Sequence, residues 1–385
     1  MKKRILALLM ALVMMAALVS CGPKEDPEDK GDEGQQGASM GVAKEDLKIG
    51  LILIGDEADA YNKNHVEGMQ EAMDKLGLSE NQLLVKANVY ENADCETAIV
   101  ELAEAGCQVI FSNSFGHEQY MINVAEDYPE IQFCAATGYQ SATDDKENTH
   151  NYFARIYEAR YLAGVVAGLK TETNKLGYVA AKEYAEVISG FTAFYLGAKS
   201  VNPDVEMFVN YTNEWSDAAK EAINAKALIG MNCDVISQHS DTSAPATTAE
   251  AEGVWAVGYN ADMIPIAPEA ALVSARINWG VYYEYALDCM LTGEKIVQDW
   301  CEGLAEGAVY LSDLNEAVVA EGSKEAVEEA KQGLMDGSIH VFNGPLLDTE
   351  GNVVVEEGEF YAENENSSAP SWDKIIEGIT ILSAE

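Results

Sequence analysis

The chain has 385 residues, with 24 Lys and Arg against 65 Asp and Glu, a formal net charge of −41 and 48% hydrophobic residues. That acidic excess excludes nucleic acid as a partner on electrostatic grounds, since phosphate binding needs a basic face, and it keeps the folded body from lying on an anionic bilayer. The length suggests two domains.

The first element is MKKR, a short basic stretch, followed by the uncharged apolar run ILALLMALVMMAALV. A basic head, a short apolar core and a small-residue exit read as a secretory signal over residues 1–20. An uncut membrane anchor is the alternative, but a spanning helix needs about 20 apolar residues. LVSC, Leu18 to Cys21, resembles the lipobox of bacterial lipoproteins. This implies cleavage before Cys21, a diacylglycerol on its sulfur and a new N-terminus that is free or carries a further acyl chain such as palmitate. Two chains suffice for stable anchoring. Residues 21–46 are rich in Gly, Pro, Glu, Asp, Lys and Gln and read as a flexible acidic tether.

The body starts with a buried-strand pattern, LKIGLILIG, and the helix HVEGMQEAMDKLGL, which puts Met69, Ala72, Met73 and Leu76 on one face. The strands QLLVKANVY, CQVIFSN and IQFCAATG follow. A second series begins with KLGYVAA and the helix AEVISGFTAFYLGAKS, with Val187, Phe191, Phe194 and Ala198 on one face. The strands EMFVNYT, CDVISQHS and GVWAVGYN follow. One phrase is written twice: GCQVIFSNS at 106–114 and NCDVISQHS at 232–240. Around each copy the same sequence of elements recurs. Asp94 and Asp217 can cap equivalent helices, and Gly138-Tyr139 answers Gly258-Tyr259.

Strands alternating with helices of 10–15 residues mean βαβ units and parallel sheets. The expected fold is α/β, two similar doubly wound parallel-sheet lobes in tandem. The N-terminal lobe is expected over 47–151 plus 278–302 and the C-terminal lobe over 152–277 plus 303–385. Crossings are expected near 150–154, 274–278 and 302–310, with GVYYEYALDCMLTGEK as a helix returning to the first lobe. No later apolar run approaches the length of a membrane span.

Beyond Cys21 there are six cysteines: Cys95, Cys107, Cys134, Cys233, Cys289 and Cys301. An even number in an exported protein permits disulfides, but their places in apolar strands favour free, buried thiols. No C-x-x-C or His/Cys cluster occurs, so neither a metal nor a cofactor is expected.

Ligands of open α/β sheets bind outside the carboxyl ends of the strands. The loops there carry Asp56, Tyr61, Asn62, Asn64 and His65 after the first strand, then Ser114 and Phe115. The second lobe adds Trp215, His239, Asn260, Arg276, Asn278 and Trp279. Tyr61 and Trp215 are read as opening equivalent loops from opposite lobes. Aromatic faces stack on flat rings or sugar faces, and amides both donate and accept hydrogen bonds. The set points to a neutral, planar or polyhydroxylated small molecule. Trp279 reads equally as hinge packing, and His239 as a loop hydrogen-bonder. No G-x-S-x-G, G-x-x-x-x-G-K-[ST] or post-strand G-x-G-x-x-G is present, so no enzyme is expected.

The ordered set AYNKNHVEGM, YEARYLAGVVAG, ALIGMNCDVISQHS, VGYNADM and HVFNGPLLDTEGNVV resembles the basic membrane protein family of lipoproteins. These are substrate-binding components of ABC transporters of the purine nucleoside receptor type. The resemblance spans nearly the whole mature chain. It implies a type I periplasmic-binding-protein fold, lobes joined by a three-strand hinge, and a purine clamped between one aromatic from each lobe. Tyr61 and Trp215 take the aromatic places and Asn62 reads the base edge. The family's ribose-gripping Asp is Asn260 here, which favours a base over a nucleoside, adenine-like in the first instance. Arg276 falls near the family's basic residue. The resemblance also implies ABC permease and ATPase partners, the extracytoplasmic face of the cell membrane through the lipid on Cys21, and a monomer. A sugar or autoinducer-like ligand, a sensory receptor and a surface nucleoside hydrolase are the rival readings.

Overall fold

The computed structural model describes residues 41–57, 59–363 and 367–382. The signal segment, Cys21 and most of the expected tether lie outside them. The last expected tether residues already pack on the body: Val42 donates its backbone N–H to Met290 O at 2.8 Å, and Gln82 holds the carbonyls of Lys44 and Leu47.

The first series is β1 (Ile49–Ile52), α1 (Ala60–Leu76), β2 (Leu83–Lys86), α2 (Ala93–Glu104), β3 (Val109–Ser112), α3 (Glu118–Ala125), β4 (Gln132–Ala136) and β5 (Thr149–Ala154). The second is α4 (Ile156–Lys170), β6 (Lys175–Ala180), α5 (Ala185–Val201), β7 (Glu206–Tyr211), α6 (Ala218–Gly230), β8 (Val235–His239), α7 (Ala244–Glu252), β9 (Trp255–Tyr259) and β10 (Ala271–Ile277). The chain then returns through α8 (Trp279–Thr292) and β11 (Asp299–Glu302) and ends in β12 (Val309–Leu311), α9 (Ser323–Asp336), β13 (Leu346–Leu347), β14 (Val353–Val355) and β15 (Ile379–Ile381).

The first sheet has the order β11-β5-β4-β3-β1-β2, the second β12-β10-β9-β8-β6-β7-β15. Every pairing in them is parallel except β10 with β12. In each lobe the strand order reverses beside the first strand, between β1 and β3 and between β6 and β8. That is where an open α/β sheet leaves a crevice. The chain passes from one sheet to the other three times: between β5 and α4, between β10 and α8, and between β11 and β12. Backbone bonds tie the crossings together, Arg155 N–H to Glu302 O at 2.9 Å and Asn278 N–H to Ala308 O at 2.8 Å.

The doubled phrase is β3 and β8 with the turns that follow. Burial explains its composition: Val109–Ser112 and Val235–His239 are buried throughout because helices cover both faces of each sheet. One equivalence read from the sequence is shifted. Thr137 and Asn260 are the first residues past two five-residue strands, β4 and β9, and both have left-handed backbones, φ 61° and 62°. Ala136 therefore answers Tyr259, and the exposed Tyr139 has no partner in that comparison.

The hairpin near the C-terminus forms as its turn chemistry predicts, β13 against β14, with Asp348 Oδ1 accepting from the N–H of Glu350 and Asn352 at 2.9 Å. All six described cysteines are free thiols, five of them buried. Among the described residues no helix is long and apolar enough to cross a membrane, and no cluster of His, Cys, Asp and Glu is placed to hold a metal.

Candidate functional site

The carboxyl ends of the strands at the two order reversals face one cavity. The first lobe lines it with Ile54, Tyr61, Asn113, Ser114, Phe115 and Thr137. The second lobe lines it with Glu186, Trp215, His239, Asp241 and Tyr259. The free space is only about 20 Å³, roughly one water, so the lining side chains nearly meet across the cleft. Wider cavities flank it. One, of about 370 Å³, opens past Asp59, Asn62, Glu91, Lys182 and Trp215. The other, of about 410 Å³, lies beside Asn64, Glu67, Asp262 and Arg276.

The sequence places Tyr61, Asn62, Asn64 and His65 in a loop. They belong instead to the first two turns of α1, which begins at Ala60. Helical spacing then separates their roles. Tyr61 reaches the cavity and donates its hydroxyl to Asn113 O at 2.5 Å. Asn62 accepts from Asn113 Nδ2 at 2.8 Å, while Asn113 Oδ1 accepts from the Ile54 N–H at 2.9 Å. Asn62 thus fixes Asn113 and itself faces the neighbouring cavity.

His65 points away from the cleft. Its Nδ1 lies 2.6 Å from the Tyr283 hydroxyl, and its ring stacks on Trp279 at 4.2 Å. Burial pushes it well below the usual histidine range, so it is a neutral packing residue between α1 and α8. Trp279 is hinge-side packing with it.

Ser114 and Phe115 are brought together with the second lobe. Ser114 Oγ donates to Glu91 Oε1 at 2.7 Å. Phe115 stacks on Tyr139 at 5.9 Å and meets Tyr184 at 5.5 Å, while Tyr184 lies 6.0 Å from Trp215. A row of four rings thereby crosses the cleft. Trp215 is not the equivalent of Tyr61. Asn88 and Asn213, each two residues past its strand (β2 and β7), have φ 59° and 62°, and the aromatics two positions later are Tyr90 and Trp215.

His239 Nε2 is 3.3 Å from Glu186 Oε1. Beneath them lies Arg160, a buried guanidinium whose Nη1 donates to Gln238 O at 2.5 Å and whose carbon sits 3.8 Å over the Tyr259 ring. Burial raises Glu186 to about 7, with Arg160 pulling the other way. Burial, helped by Arg160, holds His239 well below its usual range.

Asn260, Arg276 and Asn278 do not line the central cavity. Asn260 is buried with neither side-chain atom hydrogen-bonded among the described residues. Arg276 donates Nε to Asn260 O at 2.8 Å and Nη2 to Asn64 Oδ1 at 3.1 Å, and so lines the neighbouring cavity. Asn278 is the residue before α8, at a crossing.

Sequence reasoning missed Asn113, Thr137, Tyr184, Glu186, Asp241 and Tyr259 as site residues. The doubled phrase held the signal for three of them. At a spacing of 126 positions, Asn113 answers His239 and Phe115 answers Asp241, and Tyr259 ends the strand next to β8. Two carboxyl side chains, Glu186 and Asp241, line the central cavity beside the aromatic rings.

The fold is that of solved solute-binding proteins of ABC transporter systems. One from Conexibacter woesei superposes with a TM-score of 0.64 at 19% identity, over 76% of this chain and 98% of that one. Another, from Aeropyrum pernix, gives 0.65 at 19% identity, over 76% and 92%. Among relatives by sequence, a purine-binding protein of Brucella abortus is 35% identical over 82% of this chain and 89% of its own. A Haloferax volcanii protein, proposed to be an ABC transporter glucose-binding protein, is also 35% identical, over 72% and 70%. An ABC transporter nucleoside-binding protein of Lactococcus lactis is 26% identical over 68% and 75%. Residues 47–340 match the Bmp family, described as PnrA-like ABC transporter substrate-binding proteins, and the chain belongs to that family.

Proposed function

We propose that the cleft captures a purine, a free base of the adenine type before a nucleoside, and hands it to the permease of an ABC transporter. Substrate-binding proteins of this kind bind small molecules outside the cytoplasm and are not enzymes. The observation that carries the ligand reading is the aromatic lining from both sides: Phe115 and Tyr61 from one lobe, Trp215 and Tyr259 from the other. Flat rings on both walls suit a flat guest, and stacking is worth about 1–3 kcal/mol per base. The 35% identity to a purine-binding protein supports the same reading.

The small free volume requires the lobes to part before a base can enter. Binding between them then favours the closed arrangement, which is the form offered to the permease. The diacylglycerol on Cys21 would keep the body at the membrane. Stacking plus edge hydrogen bonds should give micromolar or tighter affinity, about −8 kcal/mol or better.

Native mass spectrometry of the protein as purified, followed by calorimetry with adenine, guanine, adenosine, guanosine, inosine and glucose, tests the assignment. Heat with at least one purine is expected. Heat with glucose and none with any purine would replace the purine by a sugar.

A further inference from the structure

The second copy of the doubled phrase ends in a loop built to hold one side chain still. Glu221 accepts from Ser240 Oγ at 2.9 Å and from Thr242 Oγ1 at 2.6 Å. Gln238 Nε2 donates to the carbonyls of the same two residues, at 2.9 and 2.7 Å. Asp241 lies between them, and its own N–H bonds to Trp215 O at 3.0 Å. Both neighbours are pinned, and the residue is tied to an aromatic plate of the cleft. Its carboxyl makes no hydrogen bond to any described residue and lines the central cavity, although Asp241 is only 8% exposed.

The carboxyl is not sealed off: Asp241 also lines the wider outer cavity, so its oxygens are open to a ligand that enters from there. Here the position is one where a ligand's edge would fall while its face lies on Trp215. The first lobe offers Phe115 at the same place in its own phrase. At this one pair of equivalent positions the first lobe supplies a face and the second a hydrogen-bonding edge.

We propose that Asp241 reads the edge of the bound base through hydrogen bonds of its carboxyl. This rests on the purine reading above. A protonated carboxyl presents one donor and one acceptor, an ionised one two acceptors. The acid therefore pairs with a base edge that sets a ring-nitrogen acceptor beside an amino donor, as in adenine. A carboxylate pairs with the two adjacent donors of guanine.

The surroundings favour the acid. Burial first, and then the negative charge of Glu221 on α6, Glu186 on α5, Asp59 before α1 and Glu91 after β2, hold the Asp241 carboxyl well above the ordinary range. His239 is held neutral, Tyr61 and Tyr259 stay protonated, and among the described residues that line these two cavities Lys182, across the outer one, is the cation facing it. Arg160 lies behind Tyr259 and His239, on the side of Glu186. An acid kept neutral in such a site can serve as a hydrogen-bond donor at neutral pH.

The test is calorimetry of adenine and guanine with wild type, Asp241→Asn and Asp241→Ala, from about pH 6 to about pH 9. The amide of Asn offers the same donor and acceptor as the neutral acid. Asp241→Asn should bind adenine at least about tenfold more tightly than Asp241→Ala, the cost of an unmet edge. Wild type should prefer adenine, with a preference that shrinks as pH rises and stays constant in Asp241→Asn. The inference is overturned if the two variants are equally weak, if Asp241→Ala binds as tightly as wild type, or if the preference follows pH alike in wild type and Asp241→Asn. Wild type that binds no purine would overturn the purine reading and this inference together.

Discussion

Tyr61 and Glu186 hold the same place in the two lobes. Each is the second residue of the 17-residue helix that follows its lobe's first strand, and both line the central cavity. The backbones are alike and the chemistry is not. The first lobe contributes a phenol already committed to Asn113 O, while the second contributes a carboxyl in contact with His239 and near Arg160. The same division recurs at Phe115 and Asp241. At these two pairs of positions the first lobe supplies a ring and the second a carboxyl, while Trp215 and Tyr259 keep flat faces on the second wall too. What divides the lining is whether a group is free to meet a guest or is already spent inside the protein.

That division predicts unequal effects of truncation. Phe115→Ala and Trp215→Ala each remove a flat face and should weaken purine binding by about ten- to a hundredfold, at 1–3 kcal/mol per stack. Tyr61→Phe removes only a hydroxyl spent within the protein, so its effect should fall mainly on stability, about 1 kcal/mol. Calorimetry and urea unfolding on the three variants separate the two classes.

Tyr184 reaches over from the second lobe to Phe115 at 5.5 Å and is 43% exposed, so it guards the rim without walling the cavity. Tyr184→Ala should leave the stacking surfaces in place and loosen their closure. The expected outcome in stopped-flow fluorescence is a dissociation rate several-fold faster with an association rate within about threefold of wild type, since related interfaces differ mostly in dissociation. An effect confined to association would assign Tyr184 to capture instead.

Glu186 gives a pH signature. Below its ordinary value of 4.5 the carboxyl is protonated whether the chain is folded or not, and it changes nothing. Between 4.5 and about 7 the folded state keeps a proton that the unfolded state has lost, so stability falls as pH rises. Above about 7 the full penalty stands, on the order of 3 kcal/mol. His239 acts oppositely: buried and neutral, it costs stability as pH falls below its ordinary 6.5. Glu186→Gln should therefore flatten the decline between about pH 5 and about pH 8 and leave the acid side unchanged. Urea unfolding at the two pH values, compared with wild type, checks it.

Much of the fold was legible because strand and helix periods are dictated by burial. The repeat of the Cys-x-Val-Ile phrase pointed to the strand ends that form the cleft. The site was less legible for three physical reasons. Tyr61, Asn62 and His65 are consecutive enough to read as one loop, but 100° per residue of helix sends His65 into the core against Trp279. Glu186, in the first turn of α5, reads as an ordinary helix-start acid favoured by the dipole. Its burial comes from β8 and from Arg160, which are distant in sequence. Asp241 was in plain view after His239, but nothing local reveals that Glu221 and Gln238 immobilise its neighbours.

The crossing of α4 and α5 yields the last prediction, on what holds Arg160 under the site. The two helices touch at glycines on both sides: a Cβ on Gly164 would collide with the Phe194 carbonyl, and one on Gly197 with the Tyr161 carbonyl. Neither oxygen can retreat without deforming its own helix. This close approach lets Arg160, one turn before Gly164, lie against Tyr259 while Glu186 and His239 meet above it. Gly197→Ala must push the helices apart. It should cost about 1–3 kcal/mol or more, as overpacking does, and should weaken ligand binding as Glu186 moves with α5. Gly230→Ala is the matched control, since its Cβ meets nothing within 4 Å at the end of α6. Removing a glycine from that helical position should stabilise by about 0.5–1 kcal/mol. Urea midpoints of the two variants should therefore move in opposite directions, and a Gly197→Ala midpoint at or above that of wild type would show that the helices do not need this contact.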